Sequence, residues 1–257
     1  MDQTKNRFWN SAWEPLVQRR VAVSHTDSRI INEIVKSIDI QGKTVIELGC
    51  GRGVLSRCLL QHKAHKATLV DFSEKAITLA KSTLSEYRNV DFIFSDIFDL
   101  DEKQQYDIVF SAGLAEHFSG NLREKCIMKH LSLSKNLVVI ITPARPHFNS
   151  FRHKKKRVKA QYGWQRAFSK QEMKTLVEKS GPFRVIVNKR FYPSYAVDLC
   201  ELLNFGAHTA TFEWWDFPFL VVNRFLHRIK FYLLVDRILS IMDNTLGGLL
   251  ITIAHRT

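Results

Sequence analysis

The chain has 257 residues, 45% hydrophobic and 25% charged, an ordinary globular balance that needs no more than one large α/β domain. The formal net charge of +13 favours anionic partners: nucleic acid, phosphorylated substrates or a lipid headgroup surface. Cys50, Cys58, Cys126 and Cys200 show no Cys-x-x-Cys spacing, the first residues lack the apolar core of a signal peptide, and no uncharged apolar run approaches the roughly 18 residues of a spanning helix, so the expectation is a cytoplasmic protein with reduced thiols.

Residues 1–40 read as an N-terminal helical arm. Phe8, Trp9 and Trp13 stand among polar residues, and the plain reading is a helix packing its aromatics on the domain. Thr26 or Asp27 can cap a second helix, whose Ile30, Ile31, Ile34, Val35 and Ile38 form one apolar stripe. Gln41-Gly42-Lys43 turns the chain into a β-branched strand, Thr44 to Leu48, which carries Glu47 near its carboxyl end.

Gly49, Gly51 and Gly53 follow at alternate positions, and an apolar helical pattern resumes at Val54. Strand, glycine turn and helix place a ligand over the carboxyl edge of a parallel sheet. A P-loop is excluded, since Gly53-Val54-Leu55 offers no Gly-Lys-Ser/Thr. A dinucleotide fingerprint requires Gly-x-Gly-x-x-Gly, a different spacing. Ala67–Asp71 reads as the next strand and ends in an acid about 20 residues past the glycines, where a carboxylate can take ribose hydroxyls. Ser73 caps a helix from Glu74 to about Tyr87, and Val90–Phe94 is a third strand leading into Ser95-Asp96-Ile97.

The carboxylate-x-Gly-x-Gly-x-Gly run, with Asp71 and Asp96 closing the next two strands, resembles the class I S-adenosylmethionine-dependent methyltransferases. The resemblance covers residues 40–143, and more faintly 168–193 and 247–255. It implies a doubly wound, mostly parallel seven-stranded sheet in a single domain spanning 1–257. It also implies an S-adenosylmethionine site formed by Glu47, Gly49, Cys50, Gly51, Gly53, Asp71, Phe72, Asp96, Ile97 and Ser111. In many members of that family the N-terminal arm covers the cofactor.

Tyr106–Ser111 reads as the fourth strand, followed by Gly113-Leu114-Ala115-Glu116-His117-Phe118, similar to the family's fourth motif. Glu116 and His117 are the catalytic candidates, His117 as a general base. A structural Glu–His pair opening the next helix is the alternative. Some relatives hold a divalent metal here, but Gly113 stands where one carboxylate would be, so no metal is expected.

Asn136–Thr142 is a buried fifth strand, stopped by Pro143. The stretch from Ala144 to Phe168 carries Arg145, His147 and the basic run from His153 to Arg157, read as a solvated loop. Ser169 caps a helix to Ser180, Phe183–Val187 is a sixth strand and Gly248–Ala254 the last. In the family the last two strands are joined by a short hairpin. Here residues 194–246 intervene as a helical insertion dense in aromatics, with Trp214, Trp215 and Phe217 as candidate acceptor-pocket residues. Val221, Val222, Phe225, Leu226 and Ile229 share one helical face and Arg224, His227, Arg228 and Lys230 fall on or near the other. Such a segment suits a lid over a hydrophobic acceptor, contact with an anionic membrane surface, or simple packing. The expected function is methyl transfer to a small, hydrophobic or lipid-linked acceptor. RNA methylation and a non-catalytic cofactor-binding role are the alternatives.

Overall fold

In a computed structural model of the chain, residues 3–16, 22–145, 163–191 and 248–257 are described. The basic run, Trp214, Trp215, Phe217 and the insertion as a whole lie outside them.

Seven strands form one sheet: β1 Thr44–Leu48, β2 Lys66–Asp71, β3 Val90–Phe94, β4 Tyr106–Ala112, β5 Ser134–Pro143, β6 Phe183–Phe191 and β7 Leu249–Arg256. Their order is β3-β2-β1-β4-β5-β7-β6. The first five run parallel, and β7 inserts antiparallel between β5 and β6. Strand order reverses between β1 and β4, which leaves a crevice above their carboxyl ends.

Period-two alternation divides the core into two layers. Val45, Leu69, Ile108, Phe110, Val139, Ile141, Ile251 and Ile253 face one side. There they meet the apolar stripes of α2 (His25–Ser37), α3 (Val54–Gln61) and α4 (Glu74–Thr83). Ile46, Val70, Val109, Val138, Ile140, Leu250 and Ala254 face the other, against α5 (Asn121–Ser132) and α6 (Lys170–Lys179). The edges differ from the centre. Phe94 on β3 is half exposed, as is Ile186 on β6, which falls at a register shift between Val185 and Val187 and so is turned out by a bulge.

Several boundaries move. The α2 cap is Ser24, two residues before the expected Thr26 and three before Asp27: its hydroxyl accepts from the Asp27 N–H, and Asp27 accepts in return from the Ser24 N–H. That reciprocal capping box satisfies two otherwise orphaned donors. Helix α4 ends at Thr83 rather than Tyr87, and β6 and β7 run longer than expected because they pair with each other. An N-terminal helix, α1 (Gln3–Trp13), leans on the α4 end of the carboxyl edge. Its Asn10 side chain accepts from the Ser73 hydroxyl, and its Asn6 amide donates to the Phe72 carbonyl.

Candidate active site

A cavity of about 700 Å³ opens over the carboxyl ends of β1, β2, β4 and β5, within the usual range for small-molecule sites. Its floor is the loop after β1. Gly49 and Gly51 hold φ of +68° and +49°, the left-handed region that glycine tolerates. A Cβ on Gly49 would lie 3.0 Å from Leu114, and one on Gly51 would lie 3.0 Å from the Trp13 ring. The loop is therefore shaped for close approach from above, and the arm's Trp13 is what sits over it.

Asp71 ends β2 and anchors the loop. Its Oδ2 accepts the Gly51 N–H at 2.9 Å and its Oδ1 the Ser73 N–H at 2.9 Å. Burial pushes this carboxyl up, and the backbone donors of Ser73, Gly51 and Phe72 pull it back. Three backbone donors still leave part of a carboxylate's acceptor capacity, so room remains for a hydroxyl donor. Glu47 is buried in the same wall, and its Oε2 accepts both the N–H (3.2 Å) and hydroxyl (2.5 Å) of Ser56 in α3. Burial nonetheless pushes it to about 8. Asp96 caps a short 3-10 turn over Ile97–Asp99 by accepting the Phe98 N–H, and Asp96, Ile97, Cys50 and Phe72 all line the cavity.

Two expected cofactor residues are placed elsewhere. Gly53 is absent from the cavity lining. It starts α3 at φ +68°, and a Cβ there would lie 2.7 Å from both Leu69 and Leu84, so its smallness serves helix–sheet packing. Ser111 is fully buried, and its hydroxyl lies 2.8 Å from His130 Nε2 on α5. His130 Nδ1 sits 2.7 Å from the Cys126 carbonyl, which fixes it as the donor and leaves Nε2 to accept. Ser111 thus ties β4 to α5. Its even spacing along a buried strand turned it toward the helix layer, a direction that a motif match does not reveal.

Glu116 and His117 lie in a 3-10 turn, Ala115–His117, on the cavity wall. The His117 ring is half buried, with Nδ1 3.1 Å from the Trp164 carbonyl. That contact makes Nδ1–H the donor and leaves Nε2 unprotonated in the neutral ring. Burial lowers the His117 pKa, and the carbonyls of Trp164 and Gly113 only partly oppose it. Trp9 of the arm stands edge-on to the ring at 5.1 Å. Glu116 is 1% exposed, its Oε2 has no hydrogen-bond partner, and burial raises its carboxyl to about 8. Among the described residues no group of three or more His, Cys, Asp or Glu is arranged to hold a metal ion.

Sequence reasoning missed Leu114, Thr142 and the two asparagines of the arm. Asn6 with Asn10 and Trp9 with Trp13 are each four apart, the spacing of residues stacked along a helix, and that was the available signal.

A doubly wound sheet with an antiparallel seventh strand, a glycine loop and acids closing β1 to β3 defines a nucleoside-cofactor-binding α/β domain. A family model described as "Methyltransferase domain" matches residues 45–136. Ribosomal RNA small subunit methyltransferase A of Alkaliphilus metalliredigens is 37% identical over 79 residues, 30% of this chain and 27% of that protein. Malonyl-[acyl-carrier protein] O-methyltransferase of Priestia megaterium is 34% identical over 119 residues, 45% of this chain and 42% of that protein. The chain thus matches less than half the length of either curated relative. Magnesium protoporphyrin IX methyltransferase from Synechocystis PCC 6803, solved with bound SAH, superposes with a TM-score of 0.61 at 16% identity, covering 99% of both chains. Residues 45–136 thus match a methyltransferase domain, and the chain shares the fold of a methyltransferase solved with SAH bound; the cofactor of such domains is S-adenosylmethionine. The residues fit that cofactor: the glycine cradle admits it without a Cβ, Asp71 retains acceptor capacity for a ribose, and Asp96 with Ile97 offers an acid and an apolar wall for a base.

Proposed function

We propose that the protein methylates a small, largely apolar acceptor, with His117 as the proton acceptor. The observation that carries this is the His117 contact: Nδ1 lies 3.1 Å from the Trp164 carbonyl, an acceptor only, which makes Nε2 the basic nitrogen of a ring on the wall of the cavity that includes the glycine loop. S-adenosylmethionine, when bound, supplies an electrophilic methyl group. Gly49, Gly51, Asp71, Asp96 and Ile97 would hold it. The chain's own contribution is alignment, exclusion of water and removal of the acceptor's proton at His117 Nε2. Phe118, Leu122, Ile141 and Leu249 give the acceptor side its apolar character.

A second reading, RNA methylation, is favoured by the net charge of +13. It predicts RNA binding that weakens steeply with salt. A stable cofactor complex without turnover would favour the non-catalytic reading. The deciding experiment incubates the protein and radiolabelled S-adenosylmethionine with a small-molecule extract and, separately, with total RNA. His117→Ala should lower transfer to the small-molecule fraction by roughly 10²- to 10⁴-fold while S-adenosylhomocysteine affinity holds. Label appearing only in RNA would overturn the reading.

A further inference from the structure

Three guanidinium groups share one carboxylate. Glu172, in the first turn of α6, meets Arg123 Nε at 3.0 Å, Arg145 Nη2 at 2.5 Å and Arg166 Nη2 at 3.6 Å. One negative charge against three leaves the cluster with a surplus of positive charge, and the N-terminal end of α6 adds its own positive potential there.

The arginines are not equivalent. Arg123 is buried and committed: besides Glu172, it donates to the Arg166 and Ala167 carbonyls and stacks 3.2 Å over the Phe168 ring. Arg145 and Arg166 have side chains 44% and 49% exposed, each with a single ion-pair contact among the described residues. Most of their five donors therefore point elsewhere. Burial is the largest influence lowering the Arg123 pKa, and repulsion from Arg166 and Arg145 adds to it against the pull of Glu172.

Position links the cluster to the transfer site. Gln165 and Pro143 line the cavity, and Arg166 and Arg145 lie one and two residues beyond them. The Arg166 N–H donates to the Glu116 carbonyl, and the Arg145 N–H to the Phe168 carbonyl, so both backbones are fixed. Trp164, half exposed, stands in the same segment and holds His117 through its carbonyl. Within the cavity the one basic lining side chain among the described residues apart from His117 is Arg52, already paired with Asp27 at 3.7 Å. The lining thus offers an anion no unpaired cation among the described residues, whereas Arg145 and Arg166, next in the chain to lining segments, keep theirs exposed.

We infer that Arg145 and Arg166 form an anion subsite at the cavity rim, which takes a phosphate or carboxylate on the far end of an acceptor whose apolar, methyl-accepting end lies inside. The inference rests on the proposed transfer to a small apolar acceptor and adds its chemical class: an amphiphile with an anionic end. Two forks converging on one spot suit a single anionic group, whereas a nucleic acid strand needs a track of cations. Glu172 is a placeholder for the fork geometry, holding both guanidiniums in position.

The test is calorimetric titration of the full chain, saturated with S-adenosylhomocysteine, with monomeric dodecyl phosphate, dodecanoate and dodecanol. The two anions should bind at least about tenfold more tightly than the alcohol, with the advantage shrinking as salt rises. Arg145→Gln with Arg166→Gln should abolish that preference and leave S-adenosylhomocysteine affinity unchanged. Arg123 still pairs Glu172 there, so the fold is retained, and Arg145→Lys with Arg166→Lys should keep a salt-sensitive part of the preference. Equal binding of all three probes, or a preference that survives in the glutamine pair, overturns the subsite. Co-sedimentation with phosphatidylglycerol vesicles that needs both arginines, without binding of the monomeric anions, would assign the cluster to a membrane surface and also overturn it. Failure of the wild type to bind S-adenosylhomocysteine would instead remove the methyl-transfer reading while the anion preference stood.

Discussion

The Asp71 carboxylate and the Gly51 N–H meet at 2.9 Å, so the acid that closes β2 sets the loop that follows β1. Asp71 therefore has two tasks, loop placement and, in the proposed site, reception of ribose hydroxyls. Wild-type protein should bind S-adenosylhomocysteine in the micromolar range, on the order of −8 kcal/mol. Asp71→Ala removes both tasks and should weaken binding by about 1–3 kcal/mol, read by calorimetry. Asp71→Asn retains an acceptor for Gly51 and should lose less. Unchanged affinity in Asp71→Ala would remove the residue from the site.

His117 predicts a pH profile. Its pKa lies below the ordinary histidine value because burial disfavours the imidazolium, so the ring is neutral and basic at pH 7. Turnover should be flat near neutrality and fall on the acid side, with its midpoint below 6.5. His117→Ala should erase that acid limb along with most of the rate. An acid limb that persists in the variant would place the titrating group elsewhere and return His117 to a structural role under Trp9.

Ser111 is a prediction about stability and not about ligand. Removing its hydroxyl leaves the buried His130 Nε2 without a donor, which should cost about 1–3 kcal/mol in urea unfolding. Affinity for S-adenosylhomocysteine in Ser111→Ala should stay at the wild-type level. A large affinity loss with full stability would restore the cofactor role that motif comparison implies.

Much of this site was legible because its chemistry is carried by strand ends. Glu47 and Asp71 close strands β1 and β2, Asp96 follows β3, and β1, β2 and β4 are buried along most of their length, so position along the strand is nearly position in space. Gly53 and Ser111 were expected at the cofactor, and the structure sets Gly53 against Leu69 and Leu84 and Ser111 against His130, placements that depend on which layer a residue meets. A short motif encodes spacing and not that direction. The arm's hold on Phe72 and Ser73, the Trp13 contact over Gly51 and the pairing of Arg123 and Arg145 with Glu172 join residues 27 to 66 positions apart. Such pairings are set by the folded sheet, and no local pattern announces them.

Glu116 gives the last prediction, and its sign follows from burial. The carboxyl ordinarily titrates near 4.5, and in the folded protein burial raises it to about 8, more than the Arg123 charge and a backbone bond pull it down. Between those values the folded state keeps a proton that the unfolded chain has released. Its contribution to stability is therefore complete below pH 4.5 and is lost as pH rises through 8. Glu47 behaves alike, so the wild-type slope mixes the two, and a variant is needed to separate them. Glu116→Gln stays neutral at every pH and keeps the shape. Relative to wild type it should carry a constant offset at pH 5 and gain on the order of 3 kcal/mol by pH 8.5, measured by urea unfolding. His130, lowered to about 4 by burial, is common to both proteins and cancels. A difference independent of pH would mean that Glu116 ionises freely in the folded state, with solvent or a cation at its Oε2.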